Sequence, residues 1–298
     1  MAELQELIDK EFGETVLEIP NPFEKGWLLP LSDASLSEIN LNLDLLIDMK
    51  KIEEIRRLAK VIHNEGKQNQ KTDDVSLAAR LCTHDLQGQW ALYMNIAGQM
   101  HENKKYRKNK GKIEDLITLL SLTRTVSLTM AYLASGGDAK YVSAVPTSQI
   151  PFFVPGNKMI WEPELVECES ITIVDYIILR QFIRNAKTYC SPEIKNAGSY
   201  NIIFVADKGT GIVDKDGIQI SKEEIGKIFG NYTTKREGGT GLIVADRLAQ
   251  LSGGYIELVS VTEGNPAIVY NTKTKSAIEM PAPFQRGARF TLFTPPNL

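Results

Sequence analysis

Four short segments carry residue types that suit a nucleotide, and they follow one another in the second half of the chain. Arg184-Asn185-Ala186-Lys187-Thr188-Tyr189 closes a helix-like stretch. Asp207-Lys208-Gly209-Thr210-Gly211-Ile212 follows a strand-like run. Ile228-Phe229-Gly230-Asn231-Tyr232-Thr233-Thr234-Lys235 comes next, and Gly238-Gly239-Thr240-Gly241-Leu242 opens a helical pattern. The amide oxygen of Asn185 can ligate Mg2+, a cation that keeps several waters and takes few protein ligands. The carboxylate of Asp207, at a strand end, can accept a hydrogen bond from an exocyclic amine. Gly209 and Gly211 let the backbone turn sharply and approach a flat base. Gly238 to Gly241 place free N–H groups at a helix N-terminus, where the dipole favours phosphate oxygens. Taken singly, the Asp-Gly segment reads equally well as a β-turn and the Gly-rich one as a plain helix start. All four in order, on suitable elements, point to a nucleotide site.

The first half holds one further candidate, Thr83-His84-Asp85-Leu86-Gln87-Gly88-Gln89. An imidazole nitrogen is a competent nucleophile at neutral pH when a carboxylate orients it, and Asp85 is the next residue. An isolated His-Asp pair is otherwise a helix-surface feature. His63 and His101 lack such a context and read as surface residues. Trp90 reads as bundle core or an interaction surface.

The elements that must position these residues are legible from periodicity. Residues 1–71 form an N-terminal segment of turn residues and an amphipathic helix from Asn42 to about Gly66, with Leu43, Leu46, Ile47, Ile52, Ile55, Leu58, Ala59 and Ile62 at three- and four-residue steps. Thr72, Asp73 or Asp74 can cap a second helix, about Val75 to Glu102, whose buried stripe is Leu77, Leu81, Leu92, Ile96 and Met100. After the basic turn Lys104 to Lys112, a third helix runs from about Ile113 to Leu133 and ends at Gly136-Gly137. Two antiparallel helices alone cannot bury both stripes, so residues 72–137 are expected to dimerise into a four-helix bundle. Residues 138–160, with Pro146, Pro151, Pro155 and Gly156, read as a linker. Residues 161–298 alternate helix-like and strand-like runs and predict a two-layer α/β sandwich with a mixed sheet.

The four segments resemble the N, G1, F and G2 boxes of the GHKL ATPase superfamily, and Ile228 to Lys235 followed by Gly238 to Leu242 is most similar to histidine kinases. Gly253 to Glu257 and Gly287 to Thr291 resemble that domain's closing strands, with a hairpin insertion between Gly264 and Met280. The resemblance implies ATP and Mg2+ as ligands and adds Thr234, Lys235, Gly239 and Thr240 to the nucleotide-binding residues. Thr83 to Gln89 resembles an H-box, which implies His84 as phosphoacceptor, Asp85 as base or orienter, and Gln89 as the residue positioning a water for dephosphorylation. The implied fold is thus a helical-hairpin dimerisation domain followed by a GHKL-type ATP-binding domain. The implied activity is a two-component histidine kinase, a homodimer whose partner is a response-regulator receiver domain.

Three positions depart from the pattern. Ile243 replaces a glycine, Thr188 stands where a lysine is usual with Lys187 one step away, and Gln181 stands where many members have a second Asn. These departures motivate a second reading, a catalytically silent scaffold that dimerises and docks a response regulator. A third reading is a GHKL kinase acting on Ser or Thr of another protein.

The 298 residues are 43% hydrophobic and 24% charged, which suits about two globular domains. A net charge of −3 supplies no bulk positive field for nucleic acid or anionic membrane. The basic turn at Lys104 to Lys112 reads as solvated. Cys82, Cys168 and Cys190 lie far apart, which suits reduced thiols in the cytoplasm and argues against a zinc site. The N-terminus shows no secretory pattern, and the most apolar run, Ile171 to Ile183, contains Asp175, Arg180 and Gln181 and is too short to span a bilayer.

Overall fold

A computed structural model describes residues 2–68, 73–153, 159–186, 188–214, 216–230 and 240–296. The chain divides into two compact units, Met1–Phe153 and Val154–Leu298.

The first unit is helical. It opens with α1 (Ala2–Glu6), a π-helical segment (Leu7–Gly13) and α2 (Glu14–Leu17). Leu4, Ile8, Phe12 and Val16 recur every four residues, and the last three are fully buried. A stripe at strict four-residue steps drifts around an α-helix of 3.6 residues per turn, and the wider π turns bring it back into line. Burying Ile8, Phe12 and Val16 contributes roughly 1.5–3 kcal/mol each.

The single amphipathic helix expected from Asn42 is two helices, α3 (Asp33–Leu46) and α4 (Met49–Gln68). Ser32 caps the first, accepting from the Ser35 amide at 3.1 Å. Asp48 starts the second, its Oδ1 accepting from the Lys50 and Lys51 amides at 3.1 and 3.3 Å. Ile52, Ile55, Leu58, Ala59 and Ile62 form the buried face of α4.

Next come α5 (Asp74–Leu81), a π-helical turn (Cys82–Leu86) and α6 (Gln87–Glu102). Asp73 is the cap, its Oδ1 taking the Ser76 amide at 3.0 Å. The π turn inserts one residue into the helical repeat and moves the stripe by one position. Leu77, Leu81 and Met100 are buried as expected, but Leu92 is 56% exposed and Ile96 half-buried, and Tyr93 and Ala97 are buried in their place.

Helix α7 (Lys110–Ala134) is capped by Asn109 and ends at Gly136 and Gly137, both at positive φ, whose amides reach Leu133 and Tyr132 carbonyls. Every residue from Thr123 to Ala134 is buried. Three of its hydroxyls bond within the helix: Ser121 to the Ile117 carbonyl at 2.8 Å, Thr123 to Leu119 at 2.6 Å and Thr129 to Thr125 at 2.9 Å. Among the described residues α7 is the one helix long and apolar enough to cross a membrane, and 83% of that stretch is buried inside the protein. A short strand β1 (Ala144–Pro146) and α8 (Ile150–Phe153) complete the unit.

The second unit begins with the short strand β2 (Ser170–Thr172) and α9 (Ile173–Asn185). Its sheet contains β3 (Pro192–Asn196), β4 (Asn201–Ala206), β5 (Tyr255–Val261), β6 (Ala267–Asn271), β7 (Ser276–Met280) and β8 (Gly287–Thr294) in the order β3-β4-β8-β5-β6-β7. Every ladder in this sheet is antiparallel, and only the isolated bridges Met159–Cys190 and Val166–Ile194 are parallel, so the mixed sheet expected from the sequence is corrected. The apparent βα rhythm misleads because α9 and α10 (Thr240–Leu251) join strands that are not parallel neighbours. The two helices pack on one another and on β4, β5 and β8. Phe182 of α9 stacks on Phe290 of β8 with ring centroids 5.1 Å apart. The insertion expected between Gly264 and Met280 is the hairpin β6–β7.

Helix α9 starts on a reciprocal cap. Thr172 Oγ1 accepts from the Asp175 amide at 3.0 Å, and the Thr172 backbone and hydroxyl favour the Asp175 carboxylate in return. Burial outweighs these bonds and pushes the Asp175 carboxyl up to about 6. A carboxyl raised on folding gives its full stability below the unfolded value and loses it as pH rises through about 6. Asp175→Asn is therefore expected to remove a pH dependence of roughly 2 kcal/mol between pH 4 and 7.5. Denaturant unfolding of both proteins at those two pH values checks this; identical pH slopes would refute it.

Candidate functional site

The site in the second unit is assembled where the end of α9, the loop after β4 and the start of α10 meet. Asn185 is the last residue of α9 and is exposed. Its Nδ2 donates to the Gln181 carbonyl at 2.7 Å, which fixes the amide and leaves Oδ1 as an acceptor. Gly241 lies against the same turn. A Cβ built there would stand 2.6 Å from Gln181 Oε1 and 3.8 Å from Asn185 Nδ2, so this approach of α10 to α9 uses the missing side chain.

Asp207 follows β4 directly and is 7% exposed. Its amide donates to the Ala288 carbonyl at 2.9 Å, and its Oδ1 accepts from the Gly209 amide at 2.7 Å. Gly211 sits at φ +74°, and a Cβ there would be 2.6 Å from the Val261 carbonyl oxygen. The Ile212 amide donates to Ser260 Oγ at 2.8 Å. The loop is thus held on β5 and β8 before any ligand arrives. The sequence reading gave Gly287 no role here. It lies at φ +125°, and its lack of a Cβ makes room for the Asp207 carbonyl. A glycine opening a strand was the available signal.

Thr188, the departure from a usual lysine, has a structural role. Its Oγ1 accepts from the Lys208 amide at 2.9 Å, tying the segment after α9 to the loop after β4. A lysine side chain has no acceptor and cannot make this bond. Ile243, the residue replacing a glycine, is 8% exposed and belongs to the buried face of α10. Gln181 is buried, and its amide fills the space facing Gly241.

The structure therefore brings Asn185 and Gly241 together and links them, through Thr188, to Asp207, Gly209 and Gly211. Thr234, Lys235, Gly239 and also Lys187 lie outside the described residues, and of Thr240 only the helical backbone is described.

In the first unit, His84 and Asp85 lie on the π-helical turn Cys82–Leu86. Turns of this kind are rare and recur at functional sites. The His84 side chain is outside the described part of the molecule. Asp85 is 6% exposed. Gln89 is half-buried on α6, with Oε1 shielded from solvent and without a hydrogen-bond partner among the described residues. Cys82 Sγ donates to the Ala59 carbonyl at 3.3 Å, and burial pushes its thiol up to about 12, which leaves it an inert core group.

With this geometry in place, the comparison with known proteins is decisive for the second unit. Residues 175–298 match the family model of the histidine kinase-, DNA gyrase B- and HSP90-like ATPases. Residues 175–298 form a GHKL ATPase domain. No curated protein matches the chain. Among solved structures, the histidine kinase AdeS of Acinetobacter baumannii aligns at 12% identity and a TM-score of 0.33, covering 72% of this chain and 98% of its own. Full-length ShkA in complex with AMPPNP aligns at 16% identity and a TM-score of 0.35, covering 75% of this chain and 46% of its own. Overlaps this loose carry no argument, and the assignment of the GHKL domain rests on the family model.

Two substitutions test how the GHKL site is held. Gly211→Ala forces a side chain into the left-handed region against Val261 and is expected to destabilise the domain by about 1–3 kcal/mol. Thr188→Val keeps shape but removes the acceptor for Lys208, with an expected loss of about 1 kcal/mol and weaker binding of an ATP analogue. Chemical unfolding and calorimetric titration read both; unchanged affinity in Thr188→Val would show that the tether does not shape the site.

Proposed function

We propose that the chain is a two-component sensor histidine kinase acting in the cytoplasm. ATP held by the GHKL domain would phosphorylate His84, and the phosphoryl group would pass to an aspartate of a response-regulator receiver domain. The observation carrying this reading is the joined site at Asn185, Gly241, Thr188 and Asp207, together with the histidine on a π turn of the helical unit.

Each residue has a role its chemistry suits. Asp207, fixed by the Gly209 amide, accepts a hydrogen bond from the amine of adenine. Gly209 and Gly211 keep the loop flat enough for a base to lie on it. The Oδ1 of Asn185 is a fitting oxygen ligand for Mg2+, which would neutralise charge on the phosphates. Gly241, at the first turn of α10, offers its backbone to the phosphates, with Gly239 and Thr240 beside it in sequence. Phosphoryl transfer asks mainly for positioning. An imidazole nitrogen of His84 attacks the γ-phosphorus, the bond to the bridging oxygen breaks and ADP leaves.

In the reverse direction, Gln89 would position a water to hydrolyse the regulator's phosphoaspartate. Its side chain would then have to swing out of the half-buried position it occupies.

A second reading, a catalytically silent scaffold that docks a response regulator, is favoured by one observation. Thr188 spends its hydroxyl on Lys208 and supplies no ammonium to the phosphates.

Incubation with γ-labelled Mg-ATP separates the two. A kinase gives acid-labile, base-stable label that His84→Gln abolishes; ATP binding without label supports the scaffold. Gln89→Ala is expected to keep autophosphorylation and to slow regulator dephosphorylation at least tenfold. Equal loss of both activities would remove Gln89 from that role.

A further inference from the structure

The hairpin β6–β7 is the stretch that the sequence sets apart as an insertion, and it reaches both elements between which residues 231–239 run. The element before them is the 3-10 helix Ile225–Phe229, in which Ile225, Ile228 and Phe229 are buried. The Tyr270 ring of β6 stacks on Phe229, with centroids 5.6 Å apart and planes at 19°. A Cβ on Gly226 would stand 2.7 Å from the same ring, so the ring lies directly against the backbone of the 3-10 helix. Strand β7 also packs on this helix, and its Glu279 reaches Lys222, just ahead of the helix, at 3.9 Å.

The element after them is α10, which carries Gly241 in its first turn and packs on the 3-10 helix and on β5. Thr272, directly after β6, is buried and bonded twice to β5. Its amide donates to the Ile256 carbonyl at 2.9 Å, and its Oγ1 accepts from the Ile256 amide at 3.0 Å. From this fixed place it faces Asp246 of α10. Burial pushes the Asp246 carboxyl up, and the Thr272 hydroxyl opposes that, together with Gln250, whose Nε2 donates to Asp246 Oδ2 at 2.8 Å. Burial and the Asp246 charge in turn raise the Tyr270 phenol. Tyr270 thus touches the element before residues 231–239 and stands within electrostatic reach of the element after them.

We infer that the β6–β7 hairpin positions the phosphate end of the ATP site, Tyr270 acting through Phe229 and Thr272 acting through α10 and its Gly241. Neither side chain meets the nucleotide; together they set the spacing of the two elements from which the Gly-rich segment is hung. The base end is held separately, by the bonds of the loop after β4 to β5 and β8. Loss of the Tyr270 stack therefore weakens recognition of phosphates and spares recognition of the base. The inference rests on the reading of this domain as an ATP-binding one.

The test uses the full chain and the variants Tyr270→Leu and Tyr270→Phe. The Gly230 amide, bonded to the Lys227 carbonyl at 2.9 Å, reports on the 3-10 helix. Its hydrogen exchange is expected to quicken about tenfold in Tyr270→Leu and to stay unchanged in Tyr270→Phe, which keeps the stack, while amides of β4 and β5 keep their protection in both. Affinity for the ATP analogue Mg-AMPPNP is expected to fall about fivefold in Tyr270→Leu alone, with affinity for adenosine unchanged. Unchanged Gly230 exchange overturns the inference. So does faster exchange throughout β4 and β5, or an equal loss of AMPPNP and adenosine affinity, since each marks a contact that serves the domain as a whole. Failure of the unmodified chain to bind Mg-AMPPNP counts against the ATP reading alone, and Gly230 exchange still decides whether Tyr270 holds the 3-10 helix.

Discussion

Asp207 leaves β4 with its amide still bonded to Ala288 of β8, and Gly287 gives its carbonyl room against that strand. The ATPase site depends on this contact. Strand β8 lies between β4 and β5, so the loop that begins at Asp207 is aimed across the sheet to Val261 and Ser260. The same strand carries Phe290, on which Phe182 stacks, and this seats α9 and its terminal Asn185. Thr188 then closes the circuit through Lys208. A shift of β8 would move the loop after β4 and Asn185 together.

The first unit is organised by a different constraint, the burial of an α-helix on all sides. Helix α7 is tolerated in that position in part because the Ser121, Thr123 and Thr129 hydroxyls turn back to their own helix carbonyls. Arg124 is also inside, its Nε donating to the Ile19 carbonyl at 3.3 Å with Glu24 attracting it. Burial lowers the guanidinium's affinity for its proton, and Glu24 opposes that effect. The helix of residues 2–17 that packs along α7 supplies the buried apolar side chains Ile8, Phe12 and Val16.

Much of this was legible in the sequence where one residue type had one physical use. Asp207 with Gly209 and Gly211, the cap at Asp73 and the stop at Gly136-Gly137 are local features, set by bonds within a few residues. The stripe of α6 was not legible beyond the π turn. A one-residue insertion in the helical repeat leaves composition and periodicity unchanged on either side and alters only the phase, so Leu92 and Ile96 were taken for Tyr93 and Ala97. The helix of residues 2–17 was hidden for the same reason, since its steps of four fit a helix only when some turns are widened. Strand direction in the second unit was lost because alternation in sequence does not say which strands become neighbours. Thr188 was read as a missing charge, because its partner Lys208 is distant in sequence and is engaged through its backbone.

Gly241 differs in kind from Gly211 and Gly287. A Cβ at Gly211 or Gly287 would meet fixed backbone, the Val261 or the Asp207 carbonyl. A Cβ at Gly241 would meet the amide end of Gln181, a flexible group that can turn aside. The loop after β4 is therefore the rigid wall of the site, and the junction of α9 with α10 is its adjustable one.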